Sequence, residues 1–185
     1  MAKSEVRNKK LGLGQWLQPL IGDDHALVPL RVNKTTNPDW VRVPDAKDKF
    51  SRLAQAFYER RYPDCEVVFG AKHRENVRFC CDKALDVYFR VQASGTNWPS
   101  DTLVIANIYD VYANESVDPL LELFDFVIMV QEEVGYFNLG FEFPGEREAP
   151  LIKYFGFKEV ADMDGGWSIS IAALKERIDA GPIRR

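Results

Sequence analysis

The stretch from Gly135 to Ala161 limits the architecture most, because it reads as a strand, a short helix and a second strand in quick succession. Phe137, Leu139, Phe141 and Phe143 alternate with Asn138, Gly140 and Glu142, the period of two that a half-buried strand shows. Pro144 and Gly145 stop that strand, since proline cannot donate to a ladder and glycine relaxes the backbone. Glu146 to Tyr154 spans about two helical turns, with acids in the first turn where the helix dipole favours them. Gly156, with no Cβ to resist a left-handed turn, ends the helix, and Phe157 to Val160 opens the next strand.

The sequence before this stretch supplies the rest of a sheet. Thr102 to Tyr109 is a near-continuous apolar run, as a central strand reads. Pro119 to Val134 is a helix that is apolar on most sides and is therefore buried on both faces or covered by a partner. Asp118 stands at its N-cap with Pro119 at the first helical position, and Gly135 closes it. Earlier, Asp45 to Tyr62 repeats Phe50, Leu53, Ala54 and Phe57 at helical spacing, with Lys47, Lys49, Arg52, Glu59 and Arg60 as a solvated face and Pro63 as the stop. Cys65 to Gly70 is a short strand. Val77 to Cys81 and Asp86 to Gln92 make a hairpin about a turn at Asp82 to Leu85, with a helix over Glu75 to Val91 as the competing reading. Ser94 to Ser100 is a loop. After the central stretch, Asp162 to Gly166 is a hairpin loop. Trp167, Ile169 and Ile171 alternate on a strand, and Ala172 to Ala180 forms a last helix before Gly181, Pro182 and a basic tail.

From Thr102 to Ile171 the chain resembles the C-terminal half of the GNAT superfamily, the N-acyltransferases that use acetyl-CoA. The resemblance is carried by Gly135-Tyr136, the strand to Phe143, Glu146-Arg147, Leu151 and Gly156-Phe157-Lys158-Glu159-Val160. It implies an α+β fold: a mixed, twisted sheet with helices on both faces, splayed between two strands where coenzyme A enters. The implied domain covers residues 41–175, after an extended basic, irregular arm at 1–40 and before a helix end and basic tail at 176–185.

The chemical positions of that family are not kept. Its cofactor loop uses glycines so that backbone N–H groups turn toward a pyrophosphate at a helix N-terminus. Here the corresponding run Tyr112 to Pro119 holds Glu115, Ser116, Val117 and Asp118, with no glycine, arginine or lysine. The family's asparagine falls on Gly145 and its tyrosine acid on Ile152; Tyr154 lies about 200° further round the helix. Asp110, Glu115, Asp118, Glu122, Asp125, Glu132 and Glu133 surround the loop and helix without a basic residue. At an effective dielectric of about 20, one like-charge pair about 5 Å apart costs roughly 3 kcal/mol before screening. The expectation is a chain with no catalytic residues, no cofactor and no metal. It would be a structural or interaction protein like the acetyltransferase-like virion proteins of tailed phages. The alternative is a divergent acetyl-CoA-dependent N-acyltransferase, with a base drawn from Glu142, Asp110 or a bound water.

Composition limits the partners. Net charge is −4 over 185 residues, so no global attraction to nucleic acid or membrane follows, and nucleic acid is not expected. No apolar run approaches the roughly 20 residues of a membrane span, and no signal-peptide core is visible, so a cytoplasmic or virion location is expected. Lys3, Arg7, Lys9 and Lys10, with Trp16 further on, read either as a solvated terminus or as an arm that binds other protein subunits. Gly12-Leu13-Gly14 is not a phosphate loop. Cys65, Cys80 and Cys81 are expected as free thiols, because no C-x-x-C spacing is present, and neither His25 nor His73 has a neighbour that makes a ligand pair.

Overall fold

Residues 44–70, 76–93, 98–99, 101–112, 118–146, 148–161 and 163–180 are described by a computed structural model. The arm at 1–40 and the tail after Ala180 lie outside them. Chain order gives α1 (Ala46–Arg61), β1 (Val67–Phe69), β2 (Asn76–Cys81), β3 (Leu85–Arg90), β4 (Thr102–Val111), α2 (Pro119–Val134), β5 (Asn138–Glu142), α3 (Ala149–Phe155), β6 (Lys158–Glu159), β7 (Gly166–Ser170) and α4 (Ile171–Asp179). The class is α+β, as expected. The hairpin over 76–90 forms and the competing helix does not. Its inward residues Val77, Phe79, Val87 and Phe89 are all buried, a period of two that no helix satisfies.

One sheet runs in the order β1-β2-β3-β4-β5-β7-β6. Every neighbouring pair is antiparallel except β4 and β5, which are parallel. The crossover that parallel pairing requires contains α2. Strand parity then sorts side chains to two faces. Leu103 and Ile105 on β4, Leu139 and Phe141 on β5, and Phe79, Val87 and Phe89 all enter the main core.

The apolar helix α2 is covered within this chain. Phe126 meets Phe50 at 5.5 Å and Phe57 at 5.2 Å between ring centroids, while Phe124 meets Phe155 at 5.2 Å and Phe141 at 6.3 Å. Its near all-round hydrophobicity therefore calls for no partner. Lys49 on α1 donates to Glu133 at 3.3 Å, which ties the two helices at one end. The Gly135 N–H reaches Gln131 O, and the residue adopts φ 77° as the expected left-handed cap.

Among the described residues all four helices send buried side chains into the one main cluster. The opposite face carries a small cluster of Ala93, Trp98 and Val104. In β5 the alternation does not extend to its outer phenylalanines: Phe137 is 42% and Phe143 70% exposed. The strand is only Asn138–Glu142, and Phe143 leaves it with φ 48°. The short helix α3 likewise starts three residues later than the acids predict, with Pro150 in its first turn, where a missing N–H costs little.

Candidate functional site

The parallel pairing of β4 with β5 covers only Thr102 to Ile105 against Asn138 to Phe141. From Ala106 to Val111, β4 continues alongside β3 alone. Its register against β3 slips twice, between the pairs Asp86–Asp110 and Val87–Ile108 and again between Tyr88–Asn107 and Phe89–Ile105. Such bulges bend a strand and re-aim its side chains. A fork results, with Glu142 and Phe143 at the end of one arm and Tyr109 and Asp110 on the other.

Glu142, the first general-base candidate, is fully engaged. Arg90 donates from Nε to Oε1 at 3.0 Å and from Nη2 to Oε2 at 2.9 Å, and the Trp98 indole donates to Oε1 at 3.0 Å. A bidentate guanidinium and an indole N–H together fix the carboxylate in place through charge-assisted hydrogen bonds. The contact with Glu142 in turn raises the already high pKa of Arg90. Trp98 is laid over Gly140, where an added Cβ would sit 2.7 Å from the ring. Asp110, the second candidate, accepts the Val111 N–H at 2.8 Å.

Phe143 follows at the rim. A bulky residue at positive φ is a conformational outlier of the kind that clusters at functional sites. Its N–H donates to Gly165 O at 2.8 Å. Its ring lies against Gly165, itself at φ 69°, and leaves no room for a side chain there.

At the start of α2 the Asp118 side chain accepts the Leu120 N–H at 3.0 Å, and its carbonyl accepts the Glu122 N–H at 3.1 Å. Glu115, Ser116 and Val117 lie outside the described residues. The acidic surroundings read from sequence are partly compensated in space. Glu122, 6% exposed, accepts from Arg61 Nε at 2.5 Å and from the Tyr62 hydroxyl. Sequence reading missed this pairing because the end of α1 and its C-cap deliver the two donors from 61 and 60 residues away. Beside it Tyr58 is buried, its hydroxyl without a partner among the described residues. Burial first, and then the Glu122 charge, pushes its pKa well above the usual value.

The cysteines are not all free thiols. Cys65 and Cys81 are joined across a Cα separation of 6.3 Å, and Cys80 alone remains a thiol, its pKa raised mainly by burial. Antiparallel pairing of Val67 with Cys81 brings Cys65, two residues before β1, beside the end of β2, a proximity that no local spacing reveals. Elsewhere, an open cleft of about 410 Å³ lies between α3, β7 and α4, with Lys158, Ser168, Ser170 and Arg177 among its lining residues.

Lys3, Arg7, Lys9, Lys10 and Trp16, the expected partner-binding residues, lie outside the described residues, as do both histidines. Among the described residues no helix is long and apolar enough to cross a membrane. No protein-family model and no curated protein matches the chain.

Proposed function

We propose that this chain is a non-catalytic protein of GNAT-like fold that serves as a structural and interaction subunit of a larger assembly, such as a phage virion. One observation carries the reading. The Leu120 N–H, a donor that a cofactor phosphate would need at the start of α2, is satisfied by Asp118 instead, and the added carboxylate repels a phosphate. The engagement of Glu142 by Arg90 and Trp98 supports it from the other side of the fork. The GNAT-like part of the reading draws on the sheet order with its single parallel pair and on the crossover helix between those strands. The interaction role draws on exposed aromatic side chains, above all Phe143 at 70% and Tyr109 at 52%, since large exposed apolar groups are what docking surfaces use.

The competing reading, a divergent acetyl-CoA-dependent N-acyltransferase, draws on the open fork between β4 and β5. Calorimetric titration of the full chain with acetyl-CoA separates the two. No binding is expected at micromolar concentrations, and a saturable micromolar isotherm would overturn the non-catalytic reading. Light scattering after size exclusion tests the assembly role. A strictly monomeric chain that engages no protein partner counts against it.

A further inference from the structure

Three ligating side chains lie two strands away from the fork and take no part in it. The Cys65 and Cys81 sulfurs and an Asp82 carboxylate oxygen all fall within 4.8 Å of one another. We propose that Cys65, Cys81 and Asp82 form a redox-gated site for a zinc-class divalent ion, held by the dithiol and released when the two sulfurs join. The proposal does not depend on the function argued above.

The fold fixes this set before any ion arrives. Cys65 is held by its N–H to Tyr62 O at 2.9 Å, and Cys81 by the tight turn in which Ala84 N–H donates to Cys81 O at 3.0 Å. That turn places Asp82 directly after Cys81 at an exposed position, which gives an ion a route in from solvent. Cys80 is excluded from the set, because side chains alternate along β2 and Cys81 points into the core while Cys80 points to the other face.

Donor chemistry selects the ion. Two thiolates and one carboxylate suit a borderline-soft metal in tetrahedral geometry, with the fourth position left to water. Cys65 is 8% and Cys81 0% exposed. Burial disfavours bare thiolates, and a bound dication reverses that preference. Binding releases the two thiol protons to solvent as two metal–sulfur bonds form. Oxidation needs a disulfide reagent. One cysteine thiolate attacks it and displaces one of its sulfurs as a thiolate, the second cysteine thiolate then closes the Cys65–Cys81 bond and displaces the other, and solvent protonates both leaving groups. The reagent gains two electrons, and the ion loses both sulfur ligands.

Cobalt(II) titration of the full chain, reduced with a phosphine and kept anaerobic, tests this directly. One equivalent should bind, with sulfur-to-cobalt charge-transfer absorption and intense tetrahedral ligand-field bands, and zinc should displace it. Cys65→Ser should abolish the charge transfer, and Cys80→Ser should leave it unchanged. Asp82→Asn, at an exposed position where folding is not at stake, should weaken binding at least about tenfold, since even outer-shell losses cost that much. A chain oxidised by glutathione disulfide should take up none. Absent charge transfer in the reduced chain, full uptake after oxidation, or unaltered affinity in Asp82→Asn would each overturn the site.

Discussion

On one face of the sheet Phe50, Phe79, Phe89 and Phe124 close a core with α1 and α2 through ring contacts. On the other, the apolar cluster among the described residues is small: buried Ala93, Trp98 and Val104, with Val160 and Met163 packed against them. That second face depends on ion pairs instead: Arg78 with Asp86 at 2.7 Å and Arg90 with Glu142 at 2.9 Å, with the Arg78 guanidinium 4.4 Å above the Tyr109 ring. Apolar packing is non-directional and tolerates exchange of similar shapes. A polar hub fixes geometry, and each member left unpaired is costly. The first face therefore supplies the stability of the domain, and the second sets the shape of the fork.

The largest expected loss belongs to the first face. Phe124→Ala removes a ring that touches Phe141, Phe155 and Phe157 and should cost about 3–5 kcal/mol, as large-to-small core changes do. Urea unfolding measures it. A loss below about 1 kcal/mol would mean that α2 is not the central packing element. Next comes Gly140→Ala on the second face. Its Cβ would lie 2.7 Å from Trp98, and overpacking of this kind costs about 1–3 kcal/mol. The tryptophan should move, so its fluorescence should shift toward that of exposed indole while the main core stays intact. An unchanged spectrum would deny the Trp98–Gly140 contact.

Glu142→Gln is the sharper probe, with a smaller effect. Arg90 keeps 30% of its side chain in solvent, so the unpaired guanidinium is partly rehydrated and the loss should be about 1–2 kcal/mol. A double-mutant cycle with Arg90→Met isolates the coupling. Additive losses would show that the carboxylate is not held by Arg90 and would return it to consideration as a base.

The two faces were unequally legible in sequence. Helical spacing of Phe50, Leu53, Ala54 and Phe57, the Pro119 and Gly135 boundaries, and the apolar run of β4 all act within one turn or one strand, so the elements of the main core could be read directly. The residues that define the site act across the chain. Glu142 meets Arg90 from 52 residues away, and Cys65 meets Cys81 from 16. Glu122, read from sequence as part of an uncompensated acidic stretch, is neutralised by a distant arginine. Period-two reading also misassigned Phe143, because it assumes strand geometry that a positive φ has already ended. Asp118 was legible because capping is a local interaction, and it remains the feature on which the functional reading turns.

The smallest effect, and the one specific to the second face, is a pH dependence. Asp101 is buried, and one carboxylate oxygen finds no partner among the described residues. Burial raises its pKa above the ordinary carboxylate value, only partly offset by hydrogen bonds from the backbone and the Asn138 side chain. The folded state therefore holds this proton more tightly than the unfolded chain. Its contribution is fully present below the unfolded pKa and is lost as pH rises through the folded one. Carboxylates whose pKa is depressed by an ion pair favour the opposite trend. Asp101→Asn should thus remove a component of stability that declines with rising pH across the carboxylate range, leaving the variant more stable relative to the parent at neutral pH than in acid. Unfolding curves for both proteins at a series of pH values measure this, and parallel profiles would show that Asp101 ionises as readily in the folded state as in the unfolded chain.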